Sequence, residues 1–144
     1  MNEYSISELV KEDYYCGFLQ LLEQLTVVNA NDIKYDDFVD RLNQTSQKIF
    51  VIKDNNQIIG TASVFIEHKF IHKLSNVGHI EDVVVNLEYR KQGIGKLLVD
   101  HCVEYAKEKQ CYKIILNCAS HNISFYEKCG FKSKNVEMSL YTEL

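Results

Sequence analysis

A β-branched run, Val83-Val84-Val85, is followed closely by Arg90-Lys91-Gln92-Gly93-Ile94-Gly95-Lys96 and then by the apolar pair Leu97-Leu98. A strand that feeds a glycine turn and then a helix commits the chain to a sheet with a helical crossover. It also exposes a helix N-terminus to an anion. Glycines let the backbone bend with its N–H groups aimed one way, the first helical turn adds positive potential, and Arg90, Lys91 and Lys96 add full charges. The spacing does not fit a GxxxxGK[ST] loop, because Leu97 stands where the metal-binding hydroxyl belongs. Of a GxGxxG fingerprint only Gly93 and Gly95 are present. Taken by itself, the pattern leaves an ordinary strand-to-helix turn open.

Hydrophobic periodicity places the remaining elements around this turn. Residues 4–9 alternate apolar and polar and predict a strand. Phe18, Leu21, Leu22 and Leu25 predict a helix over 15–25 with Asp13 as its cap, and Phe38, Val39 and Leu42 a second over 36–43. Residues 49–52 and 58–66 form a hairpin across the turn residues Asp54-Asn55-Asn56-Gln57. A strand over 78–85 leads to a helix over 95–109 with Leu97, Leu98, Cys102, Val103 and Ala106 inward. The run Ile114-Ile115-Leu116 predicts a strand over 112–118 buried on both faces, followed by a short helix over 122–128 and a last strand over 136–141. The expected fold is one α/β domain over residues 1–144: a mixed, mainly antiparallel sheet of six to seven strands with about four helices.

Composition narrows the function. At 144 residues and 46% hydrophobic content the chain suits one core, and with no proline and six glycines no stretch reads as a linker. A net charge of -4 without a basic face argues against a nucleic-acid partner. The N-terminus lacks signal-peptide character, and no apolar run nears the roughly 20 residues that span a bilayer, so a membrane partner is not expected and a cytoplasmic location is. The five cysteines form no CxxC pair, which predicts free core thiols, no disulfide framework and no metal.

The segment from Arg90 to Lys96 resembles the acetyl-CoA pyrophosphate loop of the GNAT superfamily of N-acetyltransferases. So does the downstream stretch Asn122-Ile123-Ser124-Phe125-Tyr126-Glu127-Lys128-Cys129-Gly130-Phe131, at the usual separation. Within that superfamily, His79-Ile80-Glu81-Asp82-Val83-Val84-Val85, Cys111-Tyr112-Lys113-Ile114, Gln24-Leu25-Thr26 and Glu67-His68-Lys69-Phe70-Ile71-His72 resemble glucosamine-6-phosphate N-acetyltransferases over nearly the whole chain. The resemblance implies acetyl-CoA as co-substrate, lying in a splay between the strand ending at Val85 and the strand near Lys113. Val83, Val84 and Val85 would meet its pantetheine through backbone groups. Arg90, Lys91, Gln92, Gly93, Ile94, Gly95 and Lys96 would hold the pyrophosphate, with Asn122 and Lys128 flanking the cofactor.

The same resemblance assigns the chemistry. Tyr126 would stabilise the departing thiolate, of about pKa 8.5, by a hydrogen bond from a hydroxyl of about pKa 10. Thr26, Glu81, Asp82, Lys113 and Asn117 would surround the acceptor. Neighbours on a strand point to opposite faces, so Glu81 and Asp82 share one site only if the strand bulges. Related enzymes carry an acidic residue at Asn117, supplied across a dimer interface. Asn cannot take a proton at neutral pH, so Asn117 is expected to orient the amine while Glu81 collects its proton through water. An amino-sugar nitrogen near pKa 7.7–8.0 needs no strong base. Direct attack of the amine also makes a Cys118 nucleophile unnecessary. A homodimer with 136–141 crossing between subunits is implied. Other readings are a GNAT enzyme for a protein amine or polyamine, and a non-catalytic acetyl-CoA-binding regulator.

Overall fold

A computed structural model describes residues 4–143. Strands β1 (Ile6–Glu8), β2 (Lys48–Asp54), β3 (Gln57–His68), β4 (Asn76–Val85) and β5 (Cys111–Ile115) form one sheet in sequence order. The first four are antiparallel; β5 runs parallel to β4. The helices are α1 (Phe18–Leu22), α2 (Tyr35–Gln44), the single turn α3 (Ile71–Leu74), α4 (Ile94–Glu108) and α5 (Ile123–Lys128). The crossover from β4 through α4 to β5 is the one that the glycine turn demanded.

Two cores sandwich the sheet. Ile94, Leu98, Val99, Cys102 and Ala106, on one stripe of α4, pack on Phe50, Ile52, Ile59, Ala62, Val64 and Ile80. On the opposite face Phe18, Leu19 and Leu21 of α1 and Phe38 of α2 pack on Leu9, Val51, Ile58 and Val84. Each valine, leucine, isoleucine or phenylalanine among them, removed fully from water, contributes about 1.5–3 kcal/mol.

Four sequence expectations need correction. The helix expected over 15–25 is broken at Gly17, whose φ of 83° only glycine adopts freely. A 3₁₀ turn over Lys11–Cys16 precedes it and α1 follows. Asp13 therefore does not cap α1. It is buried, accepts from the Val10 N–H at 3.0 Å and pairs with Lys53 Nζ at 2.6 Å. Secondly, β5 is not buried on both faces: it is the edge strand, so Tyr112 and Ile115 remain exposed. Thirdly, residues 136–141 form no strand, because no strand among the described residues pairs with them; Val136, Met138, Leu140 and Tyr141 are 86–94% exposed. Among the described residues the sheet accordingly has five strands rather than six or seven. Finally, all five cysteines are free, but only Cys102 is a buried core thiol and Cys118 is exposed.

Candidate active site

The pairing of β4 with β5 ends at His79 and Ile115. β4 continues to Val85, so residues 80–85 present an edge with no β5 neighbour. The Asn86 N–H donates to the Ile59 carbonyl at 2.8 Å on the β3 side. By alternation Val83 and Val85 turn their backbone groups to the open edge, where the Val85 carbonyl accepts from Arg90 Nε at 3.2 Å. The Val84 side chain is buried. The edge is a ready template for an extended chain of amide groups.

At its end lies the glycine turn. Gly93 takes φ 81° and a Cβ there would meet open space, while Lys91 sits at φ 66°. Ile94 is buried beneath the turn, so only its backbone faces outward. Two tyrosines brace the loop. Tyr89 donates to Asp54 Oδ2 at 2.6 Å and Tyr4 to Gln92 Oε1 at 3.1 Å. Lys96 is engaged by Asp100 at 2.6 Å, which raises the pKa of its ammonium. These residues fit a phosphate-bearing cofactor: a free strand edge, a bent backbone and the N-terminus of the 15-residue α4 converge.

Tyr126 stands on α5, edge-on to Phe125 (4.9 Å) and Phe131 (6.3 Å). Burial first, and the nearby Cys118 and Cys129 thiols second, push its pKa up to about 12. The phenol is a firm hydrogen-bond donor and a reluctant acid. Asn122 and Lys128, at the two ends of α5, are exposed.

The acidic pair is brought together by a bulge. Thr61 faces Val84 and Ser63 faces Glu81, so Asp82 and Val83 together oppose Ala62, and Asp82 takes φ 52°. The bulge overrides strict alternation. Glu81 and Asp82 both line a cleft of about 340 Å³ with Gln47, Phe65, Glu67 and His79. Ser63 Oγ donates to the Glu81 carbonyl at 3.0 Å, pinning the strand here. Partial desolvation raises the Glu81 pKa, and repulsion from Asp82 and Glu137 adds to this, with His79 opposing.

None of the other acceptor candidates lines this cleft. Lys113 projects from the exposed side of β5 near the Tyr112 ring. Asn117 lies beyond β5 and donates to Glu137 Oε1 at 3.2 Å. Thr26 follows α1, where Gln24 Oε1 accepts from the Leu87 N–H at 2.9 Å and ties this stretch to the end of β4. Lys69 pairs with Glu67 at 3.3 Å, His68 bonds Asn76 at 2.8 Å, and His72 stacks on Tyr112. Sequence reasoning missed His79, Glu67, Phe65 and Gln47 as cleft residues. Counting back from the β3–β4 connection, where His68 faces Asn76, would have put Phe65 opposite His79, because antiparallel register fixes such pairs.

The chain belongs to the acetyltransferase (GNAT) family, whose model matches residues 5–131. It is an acyl-transferring enzyme fold, and GNAT acetyltransferases use acetyl-CoA. Similarity extends to particular members. A glucosamine 6-phosphate N-acetyltransferase of Arabidopsis thaliana is 38% identical over 96% of both chains. One of Candida albicans is 35% identical over 94% of this chain and 93% of its own. The crystal structure of glucosamine-6-phosphate N-acetyltransferase from Arabidopsis thaliana superposes with a TM-score of 0.94, at 36% identity, covering 99% of this chain and all of that one. Among the described residues no helix is long and apolar enough to cross a membrane.

Proposed function

We propose that this protein transfers the acetyl group of acetyl-CoA to the 2-amino group of glucosamine 6-phosphate, giving the N-acetylated sugar phosphate. The observation that carries the reading is the bulge at Asp82. It sets two carboxylates beside the open edge of β4, in a chain similar over 96% of its length to an enzyme of that name. Acetyl-CoA supplies an activated acyl group bound to a good leaving thiolate.

The chain's own residues do the rest. Val83 and Val85 hold the pantetheine arm through backbone groups, and an N–H near Val83 polarises the thioester carbonyl. Arg90, Lys91, Gln92, Gly93, Ile94, Gly95 and Lys96 hold the pyrophosphate, with Asn122 and Lys128 beside the cofactor. Glu81 and Asp82 draw in the amine, Thr26 and Lys113 meet the sugar phosphate, and Asn117 orients the amine. Tyr126 donates a hydrogen bond to the leaving thiolate.

The enzyme acts as a cytoplasmic homodimer whose subunits complete each other's acceptor sites. The exposed apolar residues of 136–141, and the hydrogen bond from Asn117 to Glu137 in that segment, support this reading. Mass spectrometry of a reaction with glucosamine 6-phosphate tests the chemistry. A product one acetyl group heavier, with the amine consumed, is expected; an unchanged sugar refutes it.

A further inference from the structure

The cleft beside the bulge contains a carboxylate–histidine pair that the chemistry above does not use. His79 Nε2 lies 2.9 Å from Glu67 Oε1, and the other oxygen of Glu67 accepts from Lys69 Nζ at 3.3 Å. A carboxylate so paired is an acceptor only, and hydrogen bonding from His79, then from Lys69, lowers the Glu67 pKa. Nε2 must therefore carry the hydrogen, which leaves the lone pair on Nδ1. Among the described residues Nδ1 has no hydrogen-bond partner, and Phe65 flanks the ring at 5.8 Å. The side chain is 27% exposed, open to solvent yet fixed in direction.

Antiparallel pairing explains the placement. Phe65 faces His79, and Glu67 lies two residues on along the same face of β3. Glu81 follows His79 by two along β4, again on the same face, and all four line one cleft. The charged groups around His79 are Glu81 and Asp82 on its own strand, Glu67 with Lys69 from β3 and the following turn, and Glu137 beyond Glu81. Gln47 adds a neutral polar group, β5 offers only Ile115 in register, and α4 lies behind Ile80 on the far face.

We propose that His79 receives the proton of the acceptor amine, delivered to Nδ1 through Glu81 or a bridging water, while Glu67 holds the ring and offsets its charge. The inference rests on the acetyltransferase reading and identifies where the proton goes when Asn117 cannot take it. As the amine nitrogen bonds to the acetyl carbon and the carbon–sulfur bond breaks, the nitrogen gives up one proton. That proton becomes Nδ1–H of an imidazolium beside the Glu67 carboxylate and then passes to solvent. The electron pair leaves with the thiolate, under the Tyr126 hydroxyl. His79 is thus a relay residue and Glu67 a positioning residue.

The test is steady-state kinetics from pH 6 to 9 with glucosamine 6-phosphate, comparing wild type, His79→Gln, His79→Ala and Glu67→Gln. We expect kcat of the His79 variants to fall about 10²-fold near pH 7, with KM for acetyl-CoA within about twofold. The deficit should shrink toward pH 9 as solvent takes the proton, and added imidazole should restore His79→Ala. Glu67→Gln keeps the ring but destabilises the imidazolium, so its acid limb should move to lower pH. A loss that is uniform across pH and not rescued by imidazole, or no loss, overturns the relay; so does an unmoved limb in Glu67→Gln. If His79→Ala loses acetyl-CoA binding by calorimetry it has misfolded, and the Glu67→Gln limb then decides. A wild type inert toward glucosamine 6-phosphate refutes the substrate reading, whereas an active wild type with an unaltered His79→Gln profile refutes only the relay.

Discussion

Phe125 of α5 rests against Gly95 of α4: a Cβ at residue 95 would stand 3.1 Å from Phe125 Cζ. The contact joins the first turn of the anion-binding helix to the helix that carries Tyr126. Gly95→Ala should push the ring aside and destabilise the fold by about 1–3 kcal/mol. Because Tyr126 is the next residue, kcat should fall along with Tm. Differential scanning calorimetry paired with kcat reads both. A variant with unaltered Tm and kcat would show that the two helices are not coupled here.

Tyr89 and Asp54 brace the glycine turn from the β2–β3 hairpin. Their hydrogen bond raises the Tyr89 pKa, so the phenol stays protonated and the brace intact throughout the neutral range; it is lost only as pH rises through that raised value. Tyr89→Phe and Asp54→Asn should raise KM for acetyl-CoA by about threefold to tenfold, the equivalent of one ordinary hydrogen bond. S-acetyl-pantetheine lacks the pyrophosphate, so its kcat/KM should hardly change. Equal losses with both donors would mean a general structural defect.

Tyr126→Phe should lower kcat by about 10²-fold, at the bottom of the range for a lost proton-sharing group, with KM values nearly unchanged. With a pKa of about 12, full transfer to a thiolate of about 8.5 is uphill, and charge stabilisation is the larger contribution. The wild-type kcat profile should accordingly show no tyrosine limb below pH 10. A limb between pH 8 and 9 that vanishes in Tyr126→Phe would identify the phenol as a true acid.

Glu81 trades stability for activity. Its folded pKa lies above the usual carboxylate value, so folding favours the protonated form; the penalty sets in as pH rises past the ordinary carboxylate value and is complete above the raised one. Glu81→Gln should raise Tm at pH 7, by no more than about 2 °C because solvent screens most of the penalty. The gain should disappear near pH 4, where wild type is itself protonated, and kcat/KM should fall across pH 6 to 9. Lower Tm at pH 7, or intact kcat/KM, would contradict this role.

The strand–turn–helix around Gly93 was legible in the sequence because its signal is local: β-branched residues, glycines and then a 3.6-residue stripe. So were α2 and the β2–β3 hairpin, within about one or two residues. The break at Gly17 was not, since a single glycine within an apolar period resembles a tolerated helical residue. Residues 136–141 read as a strand because they alternate, yet pairing depends on a neighbouring strand that the described residues do not supply. In the site, Glu81 and Asp82 were visible as charges in an apolar strand, but the bulge that unites them arises from register with β3. His79 and Glu67 are 12 residues apart, and only strand pairing brings them together.

Free thiol release from acetyl-CoA is the most direct measurement, with glucosamine 6-phosphate, glucosamine and a lysine peptide as acceptors. Saturable turnover with the phosphorylated sugar, and at least about tenfold lower kcat/KM with the other two, is the expected result. Turnover only with the peptide, or with none of the three, would contradict the proposed acceptor while leaving the acetyltransferase fold in place.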